Sequence, residues 1–186
     1  CTRSEPSQPD RSKDPEPARA ALKSVEEFSA IADTRGRSQA MFVEVARVLR
    51  HPRCANCHES GERPRQGESG ALHQPLVARA GGGAGAPGML CMTCHGSESF
   101  ENVPGAAGWL MAPERLGWFG NSDAQLCASL KENREELGKV TEYLKTSQRV
   151  AYAWRPPEHL EAAPGDQSQL AALFNGWVSS GAVCPD

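Results

Sequence analysis

The sequence predicts a mainly α chain with long irregular loops and little or no β structure. Three observations predict it. Apolar residues recur at helical spacing in short blocks at 21–34, 38–50, 123–132, 137–144 and 166–180. The chain between these blocks is crowded with turn formers, 18 Gly and 14 Pro in all. Two stretches, Cys54-Ala55-Asn56-Cys57-His58 and Cys91-Met92-Thr93-Cys94-His95, carry one pattern, C-x-x-C-H.

That pattern is the attachment sequence of c-type haem. Two thiols add across the two vinyl groups of a porphyrin, and two intervening residues bring both sulfurs to one edge of the ring. The following His then offers a neutral imidazole nitrogen to the iron. One copy would fit a redox dithiol equally well. Two copies in 186 residues predict two covalently attached haem c groups, one held by Cys54, Cys57 and His58, the other by Cys91, Cys94 and His95. The composition agrees. At 39% hydrophobic and 6% aromatic the chain is lean for a core of this length, and two macrocycles would supply the missing apolar mass. The segment 59–90 is too short to complete a separate domain around the first haem. Residues 21–186 therefore read as a single compact di-haem cytochrome c domain.

Residues 1–20, rich in Ser, Pro and charge, cannot bury enough apolar surface to order themselves and read as a disordered linker. Leu22, Val25, Phe28 and Ile31 predict a short amphipathic helix within 21–34, interrupted by Gly36. A second helix is expected from about Ser38 to Arg50, with Met41, Val45, Val48 and Leu49 on one stripe and Pro52 as its stop. The Gly-rich segment 59–90 shows no period and reads as a loop wrapping the first haem. Residues 96–120 hold the densest aromatic stretch and read as haem-packing loop. Asn121 or Ser122 caps a helix starting at Asp123. Leu137, Val140 and Leu144 mark another, and 150–165 is expected to be irregular. The last helix, about Asp166 to Ser180, carries Leu170, Leu173, Phe174 and Trp177 on one face.

Three of the seven Cys lie outside the motifs. Covalent c-type haem is made on the oxidising side of a bacterial membrane, where a disulfide is permitted. Cys127 and Cys184 are the leftover pair, read as a disulfide in preference to two buried free thiols. Cys1 at the start of a tether-like segment looks like the lipid-bearing Cys of a bacterial lipoprotein, against the bland reading of an arbitrary boundary. The expected location is the periplasm or cell surface, with lipid on Cys1 as the membrane anchor.

His58 and His95 fill one axial position at each iron, and the other position separates electron transfer from open-site chemistry. His73, 15 residues past His58, is expected to be the distal ligand of the first haem. Met111, 16 residues past His95 in an aromatic, Pro-flanked segment, is expected to serve the second, with His51 as the alternative there. Otherwise His51 would hydrogen-bond a propionate or a backbone carbonyl. His159 reads as solvent-facing, and Met89 and Met92 as packing on a ring. Arg53, Arg63 and Arg79 are candidate propionate partners, or ordinary surface charge.

A formal charge of −3 carries no basic footprint, so nucleic acid is not an expected partner. No apolar run approaches the ~18 residues of a membrane span. The words around both motifs carry a family resemblance. VLRHPRCANCH (48–58) continues into Gly61-Glu62-Arg63-Pro64-Arg65-Gln66-Gly67, then Leu72-His73-Gln74-Pro75, Val77 and Arg79, then Pro87-Gly88-Met89 before CMTCHG. Over about residues 38–185, including Trp118, Cys127 and Cys184, the chain resembles a bacterial family of small di-haem cytochromes often labelled as an isoquinoline 1-oxidoreductase subunit. The resemblance implies a periplasmic electron carrier taking electrons from a molybdenum hydroxylase, with no molybdopterin or iron–sulfur site of its own. The family pattern favours a His close to Trp109-Leu110-Met111, which leaves open a switch to Met111 or the recruitment of His51.

The expected function is thus a carrier of single electrons between redox-partner proteins, not an enzyme, with both irons six-coordinate and no small-molecule substrate. Two alternatives stand beside it: a peroxidase- or oxidase-type haem enzyme with one open or labile iron, and a subunit of a polymeric electron conduit.

Overall fold

Asp33 starts the first long helix. Its carboxylate accepts the backbone N–H groups of Arg35 and Gly36, capping α1 (Thr34–Leu49). The computed structural model describes residues 21–132 and 136–186. The expected linker 1–20 and the expected lipid site Cys1 lie outside the described residues.

The start of α1 corrects the sequence reading. Gly36 does not interrupt the helix; it occupies the first turn. A Cβ at this position would lie 2.9 Å from Asp33 Oδ2, so Gly lets the cap close. The segment before it forms only a 3-10 turn, Val25–Ala30, closed by the Glu27 carboxylate on the Ser24 N–H. Pro52 ends α1 as expected and also opens α2 (Pro52–Ala55), where its fixed φ suits the first helical position.

The core is helical. α1 packs on α7 (Gln167–Ser179), which in turn packs on α5 (Leu137–Thr146), and α4 (Asp123–Lys131) lies against the other side of α1. Spacing along α1 and α7 explains this. Met41, Phe42, Val45, Val48 and Leu49 form one buried stripe, and Leu170, Leu173, Phe174 and Trp177 form the facing one. Phe42 and Trp177 meet with ring centroids 4.8 Å apart, both fully buried. The Trp177 indole donates to Val183 O, so its one polar group is satisfied. α4 is capped by Ser122, with Gln125 returning the bond, as the sequence predicts. The segment expected to be irregular is partly helical: α6 (Gln148–Ala151) runs into a 3-10 turn, Tyr152–Trp154, before the Pro-rich stretch.

Cys127 on α4 and Cys184 in the C-terminal tail are joined as a disulfide, Cα atoms 5.5 Å apart. The tail is also held to α1, because Ser38 Oγ accepts the Val183 N–H and the Gln39 amide donates to Cys184 O.

The β content is small but real. Among the described residues it consists of three antiparallel two-stranded ribbons: β1 (Arg65–Gln66) with β2 (Ala71–Leu72), β3 (Gly85–Ala86) with β4 (Met89–Leu90), and β5 (Glu98–Phe100) with β6 (Val103–Ala106). They lie in the segments where the sequence shows no period, since strands of two to four residues are too short to display one. α3 (Cys91–Cys94) follows β4 directly.

Two measurements test this frame. The disulfide closes a 57-residue loop, so the Cys127→Ser/Cys184→Ser double variant is expected to lose about 2–5 kcal/mol in urea unfolding. The Asp166 carboxylate caps α7 and is held below the ordinary carboxylate range, first by the Ser168 hydroxyl and then by the Gln169 N–H. A depressed folded-state value stabilises above the unfolded one and is lost as acid protonates the cap. Asp166→Asn should therefore flatten the fall in melting temperature below about pH 4.

Candidate functional site

Each C-x-x-C-H motif folds as one helical turn. His58 N–H bonds to Cys54 O (3.1 Å), and His95 N–H bonds to Cys91 O (3.0 Å). The same bond in both turns gathers two thiols and one imidazole on one side of a short backbone segment.

The imidazoles share a second feature. His58 Nδ1 lies 2.9 Å from Leu116 O, His95 Nδ1 lies 2.6 Å from Pro104 O, and His73 Nδ1 lies 3.0 Å from Pro75 O. A carbonyl can only accept, so Nδ1 carries a proton in each ring, and a neutral ring then keeps its lone pair on Nε2. Burial pushes His58 down to about 4, and burial lowers His95 as well, so both stay neutral near pH 7. An indole covers a face of each motif imidazole. Trp118 stacks on His58 at 3.4 Å and 8°, and Trp109 stacks on His95 at 4.7 Å and 6°. The sequence reading placed both Trp in a packing loop but did not pair them with the motif His; contacts this distant along the chain leave no periodic trace.

Two cavities open from the motifs. The first, about 430 Å³, is lined by Cys54, Cys57, His58 and Trp118, together with apolar side chains of the helical core such as Val140, Leu144, Leu170 and Phe174. The second, about 550 Å³, is lined by Cys94, His95, His73, Met111 and His159. Both volumes fall within the ~300–1,000 Å³ of cofactor sites. Arg53, Cys57, Trp109, Leu110 and Tyr152 line both cavities, so the two spaces share a wall. Within that wall Trp109 meets Tyr152 edge-on at 5.0 Å.

The residues present fit a flat, apolar, anion-bearing macrocycle. Trp118 Nε1 and Arg53 Nε are buried donors without partners, one at the first cavity and one at both. Leaving such groups unpaired is costly, and a carboxylate would satisfy them. Arg53 is otherwise fixed, its side chain 1% exposed, by Glu68 at 3.0 Å and by Tyr152 Oη and Gly67 O, both at 3.4 Å. The thiols do not resemble a redox pair. Burial pushes Cys54 up to about 12 and Cys57 up to about 11, the reverse of the depressed value that activates a C-x-x-C thiolate.

The remaining residues singled out in the sequence are distributed as follows. His73 is expected beside His58, but it lies with His95, ring centroids 5.9 Å apart at 57°. The cause is local. The β1–β2 ribbon doubles the chain back, His73 N–H bonds to Pro64 O, and Arg63 holds His73 O, so the imidazole is carried to the second cavity. Met111 is buried and lines that same cavity, its N–H on Gly83 O. A Cβ at Gly83 would stand 2.4 Å from Met111 O, so this approach requires Gly. His51 lines neither cavity. It is the N-cap of α2, where Nδ1 accepts the Arg53 N–H. His159 is exposed and lines the second cavity, a position the sequence reading left in solvent. Met89 and Met92 are exposed. Arg79 is no surface charge: its guanidinium donates to the carbonyls of Glu59, Gly61 and Ala112, tying the two sides of the site together.

Arg79→Met would leave those carbonyls unpaired and is expected to cost at least about 2 kcal/mol in denaturant unfolding. Set against protein-family models, curated proteins and solved structures, the chain matches none.

Proposed function

We propose that this chain is a di-haem c-type cytochrome that passes single electrons between redox-partner proteins. The observation that carries this reading is the pair of identical Cys–His helical turns opening onto two cavities with a common wall. When bound, each haem supplies a one-electron iron couple. The chain's own groups do the rest. Cys54, Cys57 and His58 would hold the first group, and Cys91, Cys94 and His95 the second. His73 lines the second cavity beside His95, and with Nδ1 held by Pro75 O it has Nε2 left for iron, which favours it over Met111 as the other axial donor there. Nδ1–H bonds to carbonyls hold each imidazole in the tautomer that iron requires.

Among the described residues no three His, Cys, Asp or Glu side chains form a metal-binding group, and a haem would bring its own equatorial donors. The common wall of Trp109, Tyr152 and Arg53 would keep the two groups close enough to exchange electrons and exclude bulk water between them. Covalent haem and the Cys127–Cys184 bridge suit the oxidising, periplasmic side of a bacterial membrane. No helix among the described residues is long and apolar enough to cross a membrane. Phe100, Met92, Leu90 and Met89 are exposed in and beside the second motif, an apolar surface suited to transient docking. The motif-flanking resemblance supports a molybdenum hydroxylase as the donor.

A second reading, a haem enzyme with one open iron, is favoured by one observation: the first cavity is lined by His58 but by no further His and no Met.

The test begins with haem content. Purified protein is expected to give two covalent haems by the pyridine haemochrome assay, and Cys54→Ala/Cys57→Ala is expected to retain one. Absence of covalent haem would end the proposal. In the retained haem, His73→Ala should convert a low-spin ferric magnetic spectrum to high spin, whereas Met111→Ala should leave it low spin. The opposite pattern would return the axial role to Met111.

A further inference from the structure

We propose that this chain supplies no second axial ligand at His58, and that the first site takes a small exogenous ligand of the diatomic class, such as carbon monoxide, nitric oxide or cyanide. The inference rests on haem attachment at both motifs and goes beyond electron transfer.

It follows from placing every His and Met in the chain, the residue types that serve as axial donors in c-type cytochromes. The sequence holds five His and four Met. His58 is the motif ligand itself. His73, His95, His159 and Met111 line the other cavity. His51 is engaged as the cap of α2 by its Nδ1 and lines neither space. Met41 is buried in the helical core, its sulfur 2.9 Å from where a Cβ on Gly176 would stand. Met89 and Met92 are exposed at the surface beside α3. Residues 1–20 and 133–135 contain neither His nor Met.

What the first cavity does contain, besides its thiols and His58, is an apolar wall from α5 and α7, Val140, Leu144 and Phe174 among its members, with polar or charged members Arg53, Arg115, Glu136, Tyr143, Arg149 and Tyr152. Leu and Val side chains cannot coordinate. They keep water out and admit a small apolar or weakly polar molecule. Arg149, its guanidinium 5.7 Å from the Tyr143 ring centroid, lines the same cavity and would offer a cation to a ligand bound there. Binding forms one coordinate bond from a ligand lone pair to iron. No electron is transferred and no group leaves.

The two sites thus divide their roles. The second has a chain-supplied donor pair, His95 and His73. The first has one chain donor and a free position.

The experiment adds carbon monoxide to the dithionite-reduced holoprotein after its two haems have been counted. About half of the haem absorbance is expected to shift to the carbonyl form. In His73→Ala nearly all of it should shift, because the second site is then opened as well. A Cys91→Ala/Cys94→Ala variant that retains only the first haem should bind fully. Wild-type protein with two haems and no carbon monoxide binding overturns the inference while leaving the di-haem reading intact. Loss of binding capacity in the first-haem-only variant, with binding retained by the second haem alone, also overturns it. Protein without covalent haem fails earlier, at the count, and overturns the di-haem reading itself.

Discussion

The arrangement at both motifs depends on where the imidazole protons sit. Three rings, His58, His73 and His95, each place Nδ1 against a backbone carbonyl. That one bond sets the tautomer, aims the opposite nitrogen and limits ring rotation. The Leu116 acceptor, 58 residues from His58, also ties a distant 3-10 turn to the first motif, and the Pro104 acceptor ties β6 to the second. An indole stacked on His58, and another on His95, removes the remaining freedom of those two rings. The site is preorganised by contacts that involve no cofactor.

The two motifs are set in different surroundings. The first follows α1 and α2 and opens against the helical core, so His58 is more strongly desolvated than His95. The second sits between ribbons β3–β4 and β5–β6, with Cys94, Met92 and Phe100 exposed. A group held at the first motif would be enclosed by α5 and α7, and one at the second would lie near the surface. Buried and surface sites differ in dielectric and in access, the levers that tune a redox centre. Among the described residues the enclosed cavity is lined by no His or Met besides His58, and the exposed one is lined by His73, His95, His159 and Met111.

Much of the helical frame was legible in the sequence because a buried stripe must repeat at helical spacing. α1, α4, α5 and α7 fall where Met41, Leu126, Leu137 and Leu170 begin such repeats. The caps at Ser122 and Asp166 mark starts for the same local reason, a side-chain oxygen within reach of an orphan N–H. Gly36 misled because propensity marks Gly as a breaker, whereas in a first turn it only has to admit the Asp33 carboxylate. The ribbons left no signal, being shorter than any period.

The sequence by itself determined the local geometry of the motifs, because C-x-x-C-H is a local pattern: a single helical turn brings its thiols and imidazole together whatever the rest of the chain does. It favoured a Cys127–Cys184 disulfide over two free thiols among the three Cys outside the motifs, and the structure joins that pair. Only the tertiary structure decided which cavity each remaining donor faces. Distance along the chain put His73 nearest His58, but Arg63, Pro64 and the β1–β2 ribbon turn it toward His95. Loops between motifs are aimed by hydrogen bonds to residues far away in sequence, and no spacing rule records them.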